Sequence, residues 1–318
     1  MDFVNEIADK LRSTKNISDS SVNVYIGNLK KLNNSKPFGD FGFLENIDTV
    51  VEKLGKYKET TKKNYLVSIV SVLSLFPDVP KLKELHDKYY GLMMKKKDEI
   101  EKADVGDMTK TQEENWIDWD SVKEKFKELE AEVNTFYKKK TIDDTQYQTL
   151  LVFALLALYV LVAPRRNKDY QLMYVVDKFE PEMDKEKNYY DLAKKRFIFN
   201  NYKTAKKYGR FDYRVPDALR IALSKYLKHR DFRLPADDHN AKPLLMKSDG
   251  TPMIRSNDIT KLLNKVFGKN VGSSMLRHIF LTDKYGDLFK QSLDDSQTMA
   301  HSLDEQRKYV RNKLSVKV

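Results

Sequence analysis

The sequence predicts an α+β fold, mainly α with small β-hairpins: a helical domain over residues 1–105, a linker over 106–115 and a second domain over 116–318. Three observations predict it. Apolar residues recur at helical spacing through most of the chain. The stretch "EKADVGDMTKTQEEN" is polar and nonperiodic. Residues 193–234 leave the helical period for alternation and turn residues. At 318 residues the chain exceeds the about 250–300 at which single cores stop growing, so two cores are expected.

The N-terminal "MDFVNEIADKLRS" reads as a short amphipathic helix and lacks the basic-then-apolar order of a secretory leader, so the chain is expected to stay intracellular, wherever its target lies. "SDSSVNVYIGNLKKL" sets Val22, Tyr25, Ile26 and Leu29 at helical spacing behind capping serines, and "ETTKKNYLVSIVSVLSLF" does so with Tyr65, Ile69, Val72 and Leu73. Four or five helices are expected before residue 105. "WDSVKEKFKELEAEVNTFYKKK" and the run 145–163 form two helices that open the second domain.

Residues 151–163 are apolar throughout, yet a membrane span needs ~20 such residues and this run is bounded by Gln148 and Arg165. A buried core helix is therefore expected, and no membrane partner. Pro164 should end it sharply, just ahead of Arg165 and Arg166. Next, "KKRFIFNNYKTAKKYGRFDYRVP" reads as a β-hairpin with lysines at its tip, and "PLLMKSDGTPMIR" as a second one turning at Asp249-Gly250. After Ser256 the chain reads helical.

The charge is uneven. Overall, 58 Lys+Arg against 47 Asp+Glu give +11. Residues 98–132 hold thirteen acidic residues against five lysines, net −8, and 193–234 hold thirteen Lys+Arg against three Asp, net +10. The acidic stretch reads as a solvated face, the basic one as a surface for a polyanion. With no cysteine, disulfides, thiolate metal sites and cysteine nucleophiles are excluded; the five histidines show no zinc-ligand spacing, so no metal is expected.

Arg166, Lys203, Arg277, His301 and Tyr309 supply two guanidiniums, an ammonium, an imidazole and a phenol, an inventory suited to holding and attacking a phosphodiester. Each has a plainer reading taken singly. The arginines could be surface or ion-pair residues, and Lys203 one of several solvated lysines with Lys206 the next candidate acid. His301 could be a capping residue, Ser274 a helix N-cap and Tyr309 a packing residue. Tyr309 is the only tyrosine after Tyr285.

Across its length the chain resembles the tyrosine recombinase family, the phage-type integrases and related site-specific DNA recombinases. "APRRNKDY" is similar to the first box, an arginine with an acidic residue three positions on, which selects Arg166 and Asp169 with Arg165 as neighbour. "YKT" matches the hairpin lysine, "SSMLRH" the second-arginine box, and "MAHS" followed by a tyrosine the last box. The resemblance implies a core-binding domain followed by a catalytic domain. It also implies double-stranded DNA with a specific site as substrate, no cofactor, and a homo-oligomer, dimer to tetramer, on DNA. In that scheme Tyr309 is the nucleophile forming a 3′-phosphotyrosine, and Lys203 the acid for the 5′-oxygen. Arg166, Arg277 and His301 hold the phosphate, and Asp169 orients Arg166. Arg165, Lys206, Lys207 and Arg210 add DNA contacts, and the C-terminal tail docks on a neighbouring protomer. The family's box histidine is replaced by Ser274, for which His278 could compensate, and its last-box glycine by Ala300. A type IB topoisomerase-like enzyme, a catalytically impaired DNA-binding relative and a membrane-surface protein are the alternatives.

Overall fold

The computed structural model describes residues 3–15, 17–103, 106–233, 242–255 and 257–310. It is mainly helical with one small mixed sheet, and the chain divides into two compact units, Met1–Asp107 and Met108–Val318.

The first unit contains α1 (Phe3–Lys15), α2 (Asp19–Leu32), α3 (Ile47–Leu54), α4 (Glu59–Leu73) and α5 (Pro80–Ala103). Their apolar stripes meet in one core, including Val22, Ile26, Leu29, Tyr65, Ile69, Val72 and Leu73. Asn46 caps α3 by accepting from the Thr49 amide, and Pro80 opens α5, where a missing N–H costs nothing. The Tyr89 hydroxyl, buried among these helices, donates to the Leu44 carbonyl at 2.8 Å.

The second unit starts inside the stretch expected to be linker. Thr109 and Gln112 form a reciprocal capping box that nucleates a short α6 (Lys110–Asn115), so this polar segment is ordered. Next come α7 (Trp119–Phe136) and α8 (Asp144–Val160). Residues 150–159 of α8 are all buried, because α7, α11 (Asp217–Arg230) and α12 (Asp258–Phe267) cover its different faces.

The α8 helix stops at Val160, three residues short of the expected run. Pro164 accounts for this, because its ring would clash with the carbonyl four residues back, that of Val160. Arg166 is consequently not at the end of the apolar helix. It is the N-cap residue of a separate short helix, α9 (Asn167–Gln171).

The sheet order is β4-β3-β2-β1-β5, with β1 (Met173–Val176) parallel to β2 (Asn188–Asp191) and the other pairs antiparallel. The expected first hairpin is β3 (Arg196–Phe199) with β4 (Phe211–Arg214); its connection contains one helical turn, α10 (Ala205–Tyr208). β1 and β2 were not foreseen. The second expected hairpin reduces to one bridge, Met246 to Pro252, around Gly250. Gly250 has φ +78, and a Cβ there would lie 2.8 Å from the Arg233 carbonyl oxygen, so only glycine fits. The fifth strand is instead β5 (Lys242–Pro243), against β1.

The chain continues as α12, α13 (Ser273–Thr298) and α14 (Leu303–Tyr309). Of the tail expected to dock on a neighbour, residues 310–318, only the exposed Val310 is described, and 311–318 lie outside the described residues. Among those residues no helix is long and apolar enough to cross a membrane.

Candidate phosphate-binding site

One asparagine draws the arginine-bearing segments together. Asn167, the first residue of α9, accepts from the Tyr159 hydroxyl of α8 (2.8 Å) and donates to Thr260 of α12 (2.9 Å). Its amide donates to the Ser273 hydroxyl at the start of α13 (3.3 Å). These bonds hold Arg165 and Arg166, just before α9, beside Arg277, just over a turn into α13.

The Arg277 guanidinium lies below its ordinary value. Partial burial is the main cause and the positive field of Arg166 the next, while Asp169 opposes both. Arg166 and Arg277 are half-buried, and neither side chain makes a hydrogen bond or ion pair with a described residue. Their donors are therefore available to an external acceptor, and guanidinium geometry matches the paired oxygens of a phosphate.

Asp169 does not orient Arg166. It sits at the centre of the cluster, 3 % exposed, and its Oδ2 accepts from the Arg165 Nε at 2.9 Å. Arg165 also stacks on aromatic rings, its guanidinium carbon 3.8 Å from the Phe199 centroid and 5.5 Å from those of Tyr202 and Phe211. Its Nε is thus paired and its face lies against aromatic rings, which makes Arg165 part of the scaffold of the cluster. Arg165 is four residues from Asp169, whereas Arg166 caps the helix with extended backbone. Burial raises the Asp169 carboxyl, against the opposing pull of Arg165 first and of Arg166 and Arg277 after it. Its Oδ1 has no hydrogen-bond partner among the described residues.

The hairpin is tied to this cluster through Asn188 of β2, which is fully buried. Its Nδ2 donates to the Asp169 carbonyl (2.8 Å) and the Asn201 carbonyl (3.0 Å), and its Oδ1 accepts from the amides of Asn200 (2.9 Å) and Asn201 (2.8 Å). Tyr202 follows, its hydroxyl closing the connection on the Gly209 carbonyl at 2.7 Å and its ring facing Arg165. Lys203 comes next, exposed. Lys206 and Lys207 are exposed on α10, whereas Arg210 is paired with Asp212 at 2.8 Å.

At the start of α13, Gly272 is the N-cap residue, so Ser274 is not; it is the second helical residue, exposed, as is His278. Ser273, which no motif singled out, makes the bond to Asn167 instead.

His301 and Tyr309 are adjacent to each other, with ring centroids 5.8 Å apart and an interplanar angle of 29°. The His301 Nε2 lies 3.3 Å from the Met299 sulfur. Ala300 before it has φ +56 and ends α13 in a Schellman turn, with the His301 amide on the Ser296 carbonyl and the Ala300 amide on that of Gln297. This pair does not join the arginines. α14 packs back at the level of Ser292, whose hydroxyl meets Gln306, and the helix between Arg277 and Ser292 rises about 22 Å. The contact between α13 and α14 is therefore about four helical turns from Arg277. Among the described residues no hydrogen bond, ion pair or ring contact links Tyr309 to the arginines, and no three His, Asp or Glu side chains converge as a metal site.

The chain matches no protein-family model, no curated protein and no solved structure.

Proposed function

We propose that the protein is a tyrosine-recombinase-type enzyme that cuts and rejoins double-stranded DNA through a 3′-phosphotyrosine. The observation that carries this reading is the pair of half-buried guanidiniums of Arg166 and Arg277, without a hydrogen bond or ion pair among the described residues, 111 positions apart in sequence and set around one buried carboxylate beside a lysine-bearing hairpin. A diester oxyanion satisfies both guanidiniums, and Asp169 keeps the positive field from dispersing them.

The Tyr309 oxygen attacks phosphorus, its proton passing to water, as the bond to the 5′-oxygen breaks. Lys203 gives that oxygen its proton, and Arg166 and Arg277 stabilise the extra charge of the transition state. His301 arrives with Tyr309 and bonds a nonbridging oxygen. The phosphotyrosyl ester retains the energy needed for rejoining, to the same strand or another. Lys206 and Lys207 contact the flanking backbone.

The test is covalent trapping on a pool of randomised-sequence duplexes, each with a single nick that lets the cleaved end diffuse away. The expected result is an SDS-resistant protein–DNA adduct, absent with Tyr309→Phe. An adduct that survives this substitution removes the nucleophile assignment. A second reading, a DNA-binding relative without cleavage activity, draws on Ser274 at the histidine position and the remoteness of Tyr309. It is the outcome if the pool is bound and never cleaved.

A further inference from the structure

We propose that an aromatic pocket on the hairpin, lined by Arg165, takes one unstacked nucleobase of a DNA strand. This rests on the reading of the chain as a protein that acts on DNA and adds a subsite for a base, which the phosphate-binding arginines do not supply.

The alternation of β3 and β4 builds the pocket. In their register Phe197 pairs with Tyr213 and Phe199 with Phe211, so the four rings share one face of the sheet. Phe197 and Phe199 are fully buried, whereas β4 is an edge strand and its Phe211 is 43 % exposed. Val162, Ala163 and Pro164, which follow α8, and Tyr170 of α9 complete the lining of a cavity of about 250 Å³. The rings are close to parallel: Phe199 and Phe211 are inclined by 22° at 6.2 Å, Phe211 and Tyr213 by 27° at 6.4 Å. Aromatic rings presented in this way form a stacking platform, which accepts any base because every base has a π-face.

The polar groups of the lining fit the edge of a base. Arg165 stacks on Phe199 and spends its Nε on Asp169, but its two Nη nitrogens make no hydrogen bond with a described residue, and neither does the Tyr213 hydroxyl. Base edges carry the carbonyl and ring-nitrogen acceptors that such donors need. An aliphatic side chain seated here would leave those donors buried without acceptors.

Charge identifies the carrier of the base as a nucleic-acid strand. The pocket lies on the segment 193–234, net +10, whose lysines Lys203, Lys206 and Lys207 stand on the connection between the two strands that build it. Arg166, the sequence neighbour of Arg165, belongs to the phosphate site, and consecutive Cα atoms are about 3.8 Å apart. A ligand with both a flat π-face and a chain of phosphates satisfies the pocket and its surroundings together. A paired base is held in its stack, so the occupant is a base that is already single-stranded, for which extrusion costs least.

The test compares binding of a short oligothymidine with that of an abasic oligomer of the same length, which presents the same phosphates without bases. Wild type is expected to bind oligothymidine about 5- to 150-fold more tightly, the range that one base–aromatic stack supplies. Phe211→Leu, at a ring outside the buried core, is expected to abolish that preference while leaving affinity for the abasic oligomer unchanged, and Phe211→Trp is expected to retain it. Equal affinity of wild type for the two oligomers overturns the pocket, as does a Phe211→Leu protein that weakens on both alike or a Phe211→Trp protein that loses the preference. Thymidine 5′-phosphate binding as tightly as oligothymidine overturns the strand as the carrier. A base preference without covalent adduct on nicked duplexes upholds the pocket while the cleavage reading fails, and an adduct without base preference does the reverse. A protein that binds neither oligomer overturns both.

Discussion

Asn188→Ala tests whether the hairpin is held to the arginine segment as described. The substitution removes four hydrogen bonds, two accepted from the Asn200 and Asn201 amides and two donated to the Asp169 and Asn201 carbonyls, all at a fully buried side chain. At about 1 kcal/mol net for each bond, the loss comes to roughly 4 kcal/mol. For a unit of this size, a melting-temperature change of roughly 2–4 °C per kcal/mol gives a fall of about 8–16 °C. Calorimetry on the full chain measures it, with Asn201→Ala as control. The Asn201 side chain bonds Glu186 at the surface, and its loss should cost under about 1 kcal/mol. Because Asn188 also fixes the start of the turn that leads to Lys203, cleavage should slow far more than DNA binding weakens. An Asn188→Ala protein melting within about 2 °C of wild type would refute this reasoning.

Ala300→Gly should stabilise the protein by about 0.5–1 kcal/mol, since a left-handed alanine costs about 1–2 kcal/mol and glycine's greater unfolded entropy returns part of it; thermal melting reads this, and no gain would mean the turn is unstrained. The folded carboxyl of Asp169 is raised above its ordinary 3.8, so its contribution to stability is fully present below 3.8 and is lost as pH rises through the folded value. Denaturation of wild type and Asp169→Asn across that window should show their stability difference shifting against wild type with rising pH, and a difference flat in pH would contradict the shift. Lys203→Ala should slow cleavage of an ordinary diester but not of a 5′-bridging phosphorothiolate, whose leaving group needs no proton; equal defects would move the acid elsewhere, Lys206 first. DNA affinity should fall steeply with salt, as counterions released by the basic segment require, and a flat response would point to a different partner.

The helices were legible because their periodicity is strong: the Val22, Ile26, Leu29 stripe of α2 and the uninterrupted run of α8 leave no competing period. β1 and β2 were not, because four-residue strands buried on both faces, "MYVV" and "NYYD", have no alternation to read. Capping chemistry that overrode polar composition hid α6. In the site, spacing selected Arg166 and Arg277, and the fold brings both into the field of Asp169. Spacing also assigned Asp169 to the wrong arginine, because one residue of extended backbone at the cap redirects the side chains. Asn167 and Asn188 carry no sequence signal at all; an asparagine is usually a turn residue, and only the fold reveals four segments converging on it. The apolar residues of α13 were visible, but periodicity cannot tell a face that meets the core from one left exposed, as Leu288 and Phe289 are.

The most direct measurement is mass spectrometry of the DNA-linked peptide after trapping and proteolysis. A single modified peptide is expected, carrying a nucleotide through a 3′-phosphate on Tyr309. A phosphate linked to any other residue, or DNA cleaved with no covalent peptide, would contradict the account.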